Sequence, residues 1–172
     1  MSATQLILSD IERHLKDNLP EWDVELFPND PSSYSLSHIN GAVLISYLAS
    51  KFDSPRPTSA VTQSRHVQIA LTVITRDLHN DVGALNLLDA LRLLIVGFRP
   101  SNCSECWLIN EFFNGADEET GIWQYQLILQ TDTMQVQQCQ EQAVNSAPKF
   151  AHLIRRSTTQ PLDKRLKTKQ GE

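Results

Sequence analysis

Apolar residues recur at intervals of three and four along residues 3–18, which predicts an amphipathic helix. Ile11 and Leu15 lie on its apolar side, and Pro20 prevents its continuation. The next segment, W-D-V-E-L-F at 22–27, alternates apolar and acidic residues, as a half-buried strand does. The chain is therefore predicted to begin with one helix and one strand.

Two further strands are predicted before the second helix. The mostly apolar run at 41–49 is typical of a strand buried on both faces. Residues 53–60 contain two prolines, which disfavour a regular ladder, so this segment is predicted to be a loop. Residues 65–75 alternate again. Their apolar positions on one face are Val67, Ile69, Leu71 and Val73.

The second helix has the clearest sequence signals for its start and its end. Asn80 or Asp81 is predicted to cap it, Gly97 lies at its end, and Pro100 prevents its continuation. Its apolar stripe consists of Ala84, Leu87, Leu88, Leu91, Leu94 and Ile95. Three further apolar residues lie off the stripe: Leu85, Leu93 and Val96. A helix with apolar residues on more than one side is either deeply buried or covered by a partner.

The last two predicted strands cover about 105–113 and 122–131. In the second of these, aromatic and aliphatic residues share one face, whereas Gln124 and Gln126 lie on the other face, which is polar but uncharged. The resulting order, α-β-β-β-α-β-β, contains no βαβ repeat. It predicts an α+β fold in which two helices pack on one face of a mainly antiparallel sheet of about five strands.

The charge of the chain changes sign near its end. Residues 1–143 carry 18 acidic and 8 basic residues, whereas residues 144–172 carry 2 acidic and 7 basic residues. Together with the loss of apolar periodicity after 131, this predicts an α+β domain over 1–131 and a polar, basic C-terminal tail over 132–172.

The chain has no apolar run long enough to span a membrane, and its N-terminus does not resemble a signal peptide. We therefore expect no membrane partner and a location in the cytoplasm, where reducing conditions disfavour structural disulfides.

Cys103 and Cys106 form a C-x-x-C pair, which is found in zinc sites and in thiol–disulfide exchange proteins. A structural zinc ion needs four ligands, but Cys139 is single and no histidine pair has the required spacing. A redox pair usually lies where a strand leads into a helix, and here the order is reversed. The sequence therefore favours a loop position for Cys103 and a small apolar role for Cys106 at a strand edge. We expect no metal site.

Catalytic signatures are also missing from the sequence. It contains no P-loop, no dinucleotide-binding glycine motif and no nucleophile-elbow motif. No convincing pair of nucleophile and base is visible, so we expect no catalytic residues, no cofactor and no enzymatic activity.

Four stretches at consistent spacing resemble a known group of phage proteins. They are H-I-N-G-A-V-L-I-S-Y at 38–47, Q-S-R-H-V-Q-I-A-L-T-V-I at 63–74, G-A-L-N-L-L-D-A-L-R-L-L-I-V-G-F-R-P at 83–100, and G-I-W-Q-Y at 121–125 after E-F-F at 111–113. In this order they resemble the Mu-like prophage tail-terminator, or tail-completion, family of long-tailed bacteriophages. The resemblance covers about residues 5–131.

The resemblance implies a structural virion protein rather than an enzyme. Proteins of that family form a ring, typically of six subunits, on the head-proximal end of the tail tube. The ring stops tube polymerisation and offers a surface to the head–tail connector. The expected partners are then other copies of this chain, the tail tube protein and the connector. The expected location is the host cytoplasm during assembly and then the virion tail.

A closed ring needs two different contact patches on each subunit. The candidates are the off-stripe Leu85, Leu93 and Val96, although burial of these residues under the sheet remains an alternative. Further candidates are Gln124 and Gln126 on the polar strand face, and Lys164, Arg165 and Lys167, whose charges could attract an acidic neighbour.

Two other functions remain open. A nucleic-acid-binding or regulatory module could use the basic tail, although the acidic body opposes specific nucleic-acid binding. A thiol enzyme would need an unusually acidic thiol at Cys103 or Cys106.

Overall fold

The computed structural model describes residues 2–30, 34–57, 60–117 and 120–137, which belong to one compact unit ending at Gln137. The elements in chain order are α1 (Ala3–Asn18), β1 (Asp23–Leu26), β2 (Gly41–Phe52), β3 (Arg56–Pro57), β4 (Val61–Thr75), α2 (Ala84–Ile95), β5 (Trp107–Asp117) and β6 (Ile122–Val136).

The strands form one sheet in the order β1-β2-β4-β6-β5, and the short β3 pairs with the start of β4. β1 pairs with β2 in parallel, while the other pairs are antiparallel. The predicted α+β class, with a mainly antiparallel sheet, is therefore confirmed. Because β1 and β2 run in the same direction, a two-residue hairpin cannot join them, and 14 residues (27–40) separate them in the chain.

Both helices pack on one face of the sheet, as predicted. Ile11 and Leu15 of α1, together with Leu88 and Leu91 of α2, are fully buried in the same apolar cluster as Leu71 of β4. The predicted faces of β4 and β6 are correct, and Val67, Ile69, Val73, Leu127 and Leu129 complete this layer. Full burial of each such side chain contributes about 1.5–3 kcal/mol, so this layer is the main source of stability.

The start of α2 differs from the prediction. The N-cap is Gly83, which makes no side-chain cap hydrogen bond, and neither Asn80 nor Asp81 occupies this position. A Cβ atom at residue 83 would lie 2.7 Å from the carbonyl group of Leu78, so only glycine fits this close backbone approach. The predicted end is correct, because Gly97 follows the helix with a φ of 86°.

Several strand limits also differ from the prediction. β2 extends to Phe52 because its pairing with β4 continues to that residue, and β4 begins at Val61 because its first residues pair with β3 and β6. The segment predicted to be a loop contains Arg56 and Pro57, which pair with β4 at the margin of the sheet, where proline is tolerated. The predicted burial of β2 on both faces holds for residues 41–45, whereas 47 and 48 are exposed.

The predicted division into a domain over 1–131 and a tail over 132–172 remains a prediction. β6 continues past residue 131 to Val136, and its pairing with β4 continues to the same point. Residues 138–172 lie outside the described residues.

Candidate interaction surfaces

The two cysteines of the C-x-x-C pair lie in the loop that connects α2 to β5, with Cys106 directly before the strand. Cys106 is 2% exposed and packs in the main apolar cluster, as the sequence predicts. Burial raises the pKa of the Cys106 thiol to about 12 and also raises the pKa of Cys103. A raised pKa keeps both sulfurs in the thiol form near neutral pH, which opposes nucleophilic chemistry. Glu105, which lies between the two cysteines in sequence, forms an ion pair with Arg99.

A cavity of about 430 Å³ lies beside this loop and includes Cys103 and Asp132 in its lining. The loop runs along β6 through hydrogen bonds: the Ser104 amide donates to the Asp132 carbonyl at 2.8 Å, and the Thr131 hydroxyl donates to the Ser104 carbonyl at 2.8 Å. These hydrogen bonds hold the loop against the sheet. We therefore attribute the cavity to the way the loop packs on β6.

His66 on β4 lies between two carboxylates. Its Nδ1 is 2.6 Å from Asp132 on β6, and its Nε2 is 3.1 Å from Asp53 after β2. The hydrogen bond to Asp132, followed by that to Asp53, raises the pKa of His66 above its ordinary value of 6.5. With both ring nitrogens facing carboxylates, the protonated ring is favoured, and it ties together three segments of the sheet.

Asp10 is a buried carboxylate that makes a long-range contact. Its Oδ2 accepts a hydrogen bond from the Ser101 amide at 2.9 Å, and its Oδ1 contacts Arg13 at 2.7 Å. Burial acts to raise the pKa of Asp10, but the hydrogen bonds from Ser101 and the nearby Arg13 outweigh it, so the pKa lies below its ordinary value. Asp10 therefore anchors the α2–β5 loop to α1.

Within residues 2–30, 34–57, 60–117 and 120–137, no cluster of three or more His, Cys, Asp and Glu side chains has a geometry suited to a metal ion. The same ranges contain no helix with the length and apolar character needed to cross a membrane.

The sheet face opposite the helices carries the predicted glutamine residues. Gln124 and Gln126 are half-buried and line a groove of about 280 Å³ together with Tyr34 and Leu44. Tyr34 packs near Ala42, Leu44 and Ile74 at one end of this face. Across the face, Gln68 Nε2 donates to Gln130 Oε1 at 3.2 Å. The glutamine side chains therefore lie along the sheet as a polar surface with a shallow groove.

The three off-stripe apolar residues of α2 are exposed. Leu85 is 42% exposed, Leu93 is 83% exposed and Val96 is 56% exposed. The alternative that they are buried beneath the sheet is therefore wrong. One turn from Val96, Arg92 reaches β5 and binds both carboxylate oxygens of Glu111 at 2.9 Å. The side of α2 that carries Leu85 and Val96 thus lies next to β5.

β5 forms the end of the sheet and carries an apolar surface that the sequence analysis missed. Among the described strands it pairs with β6 alone. Its exposed apolar side chains, here called the β5 edge, are Trp107, Ile109, Phe112 and Phe113, which are 37–51% exposed. The sequence did contain a signal for this surface. In W-L-I-N-E-F-F, apolar residues occupy both odd and even positions, and side chains at both kinds of position cannot all face one core.

The opposite margin of the sheet is also incomplete. β1 pairs with residues 42–45 of β2, and no described strand pairs with the outer side of residues 46–52. This segment, here called the β2 edge, exposes Tyr47, Leu48 and Phe52 by 45–54%. A groove of about 510 Å³ opens beside it, between Leu8 of α1, Phe27 after β1 and Tyr47.

The remaining predicted contact residues, Lys164, Arg165 and Lys167, lie outside the described residues. The chain matches the family described as Gp37 protein over residues 11–153, which is most of its length. It belongs to this family of phage proteins. The match includes every strand and α2, and it ends before the three basic residues. Among curated proteins, no match to the chain was found.

Proposed function

We propose that this Gp37 family protein is a tail terminator. In this proposal it forms a closed ring, six subunits being the number that the sequence resemblance implies, on the head-proximal end of the tail tube. There it stops tube polymerisation and presents a surface to the head–tail connector. It acts by binding alone, without catalysis, first in the host cytoplasm and then in the virion tail.

The observation that supports this proposal most directly is the pair of incomplete sheet margins in a member of a phage family. The β5 edge and the β2 edge lie at opposite sides of one sheet, and both expose apolar side chains. Natural proteins usually protect such edges with charge, proline or a covering element. A subunit that uses both edges in an assembly has its two different contact surfaces, as a ring requires.

Deletion of the gene from its phage tests the proposal. We expect particles with tails of uncontrolled length, or tails that fail to join heads, and we expect normal particles when the intact gene is supplied in trans. Electron microscopy measures tail length, and plaque counts measure infectivity. Normal infectious particles from the deletion phage would exclude the terminator function. A matched complementing gene with Ile39→Lys, at a residue that is 81% exposed and outside both edges, checks that an exposed substitution by itself does not abolish complementation.

A further inference from the structure

We propose that the subunits of the ring join head to tail through their sheets, with the β5 edge of one copy adding to the β2 edge of the next. The inference rests on the proposed ring and names its contact surfaces. The molecule that binds each edge is therefore a second copy of this chain.

The backbone of each edge has room for a further strand. The free part of β2, residues 46–52, has a length of about 23 Å at the usual rise per residue, and β5 is longer. Among the described residues, the last hydrogen bond to the outer side of β2 is that from the Phe27 amide to the Ile45 carbonyl, at 2.8 Å. Beyond this point, strand addition would supply main-chain hydrogen bonds that no described residue of the same chain supplies.

The two edges are complementary because one has a largely apolar groove beside it and the other exposes large apolar side chains. The groove of about 510 Å³ beside Tyr47 has an aliphatic and aromatic lining from Leu8, Leu26 and Phe27. The β5 edge offers the large aromatic side chains that such a groove can bury, namely Trp107, Phe112 and Phe113. Burial of aromatic residues supplies much of the binding energy of protein interfaces.

The charges of the two edges favour pairing between unlike edges. β5 contains Glu111 and Asp117 and no basic residue, whereas the β2 edge contains Lys51 and no acidic residue. Next to the β2 edge lie Arg56 and Arg65 and one acidic residue, Asp53, which pairs with His66, so this end carries more basic than acidic residues within a domain that is acidic as a whole. Arg92 offsets part of the charge of Glu111 within each chain, but β5 carries no basic residue of its own, so pairing two β5 edges still places two acidic strands side by side, which is unfavourable.

Two variants test this arrangement, each with one edge blocked. I109K/F112K places lysines on the β5 edge, where they would oppose Lys51 of a neighbour. L48E/F52E places carboxylates on the β2 edge, where they would oppose Glu111. All four side chains are 39–54% exposed, so both variants should fold, which circular dichroism and thermal unfolding would verify. Ile39→Lys is the matched control, because Ile39 is 81% exposed and lies outside both edges.

Sedimentation velocity would then measure assembly over a concentration range up to about 1 mM, which detects association of millimolar affinity or tighter. We expect the intact protein and Ile39→Lys to form species larger than dimers, and each edge variant alone to remain monomeric. An equal mixture of the two edge variants should restore association, because the intact β2 edge of one variant meets the intact β5 edge of the other, and the lysines and carboxylates of the two blocked edges attract each other. That rescue also shows that both variants are folded.

Other outcomes would overturn the proposal. Dimers of L48E/F52E alone would indicate a symmetric β5–β5 contact, and assembly of I109K/F112K alone would place the contact elsewhere. Assembly of both variants like the intact protein would indicate another surface, such as Leu85 and Leu93 on α2. An intact protein that stays monomeric at about 1 mM also overturns it. Failure of this contact is separable from failure of the terminator function, which the deletion phage tests independently.

Discussion

β4 and β5 are both rich in apolar residues, yet one is the centre of the fold and the other is its margin. From Ile69 to Thr75 every side chain of β4 is buried, whereas no side chain of β5 is buried. β4 has β2 and β6 as neighbours and a helix layer above it, while β5 pairs with β6 alone among the described strands. Apolar content therefore does not determine burial; the number of covered sides does.

The comparison separates stability from binding. A buried apolar side chain contributes to the free energy of unfolding of the single chain, whereas an exposed one contributes when another molecule covers it. We therefore expect substitutions in β4 to affect folding, and substitutions on the β5 edge to affect assembly with little effect on folding.

The largest effect is expected for Leu71→Ala in β4. Leu71 is fully buried, and its truncation removes apolar contacts and leaves a cavity, which should lower the free energy of unfolding by about 2–5 kcal/mol. Phe112→Ala on β5 is the contrasting variant, because Phe112 is 39% exposed, and we expect a loss of less than about 1 kcal/mol for the monomer. Urea unfolding measures both, and equal losses would refute the contrast between the two strands.

A smaller effect is expected for Glu111→Gln, which removes a charge from the ion pair between β5 and α2. The pair is bidentate, with both distances 2.9 Å, but it is partly exposed to solvent. We expect a loss of about 0.5–1 kcal/mol that decreases at high salt concentration. Thermal unfolding at low and high salt measures it. A loss that is independent of salt would mean that the contact does not act through charge.

The His66 contact should make stability depend on pH. Because its carboxylate partners raise the pKa of His66 above 6.5 in the folded protein, the contribution is fully present below pH 6.5. It should disappear as the pH rises through the folded pKa. Urea unfolding across this range, compared between the intact protein and His66→Gln, should show that the substitution removes this part of the pH dependence.

The exposed His79 provides the control for that measurement, because His79→Gln leaves the contact between β4 and β6 intact. Its pH profile should match that of the intact protein. If His66→Gln also keeps the full pH dependence, the carboxylate pairing of His66 does not contribute to folding.

The smallest effect is expected for Leu93→Ala on the outer side of α2. Leu93 is 83% exposed, so its truncation should change the free energy of unfolding by no more than about 0.5 kcal/mol. Leu91→Ala, two residues earlier and fully buried, should cost about 2–5 kcal/mol. Thermal unfolding of the two variants compares the two sides of one helix, and a large loss for Leu93→Ala would show that this side is covered in the folded chain.

Sequence periodicity was sufficient for the elements whose apolar residues all face one layer. Intervals of three and four located α1 and the buried stripe of α2, and alternation located the core faces of β4 and β6. The raised thiol pKa values came from burial, which the apolar surroundings of Cys106 indicated. The cap of α2 was missed because Gly83 is selected by a close approach to Leu78, and that approach exists only in the folded chain.

The sequence by itself determined the two helices and the approximate positions of the five longer strands, since these depend on local spacing of apolar residues, whereas the strand limits and β3 depend on pairing. Tertiary structure alone decided which strand lies at the margin, because strand order depends on contacts between residues far apart in the chain. Hence Trp107 and Phe112 are exposed although their sequence resembles that of a core strand. For the same reason His66 meets Asp53 and Asp132, which the alternation pattern of β4 does not encode.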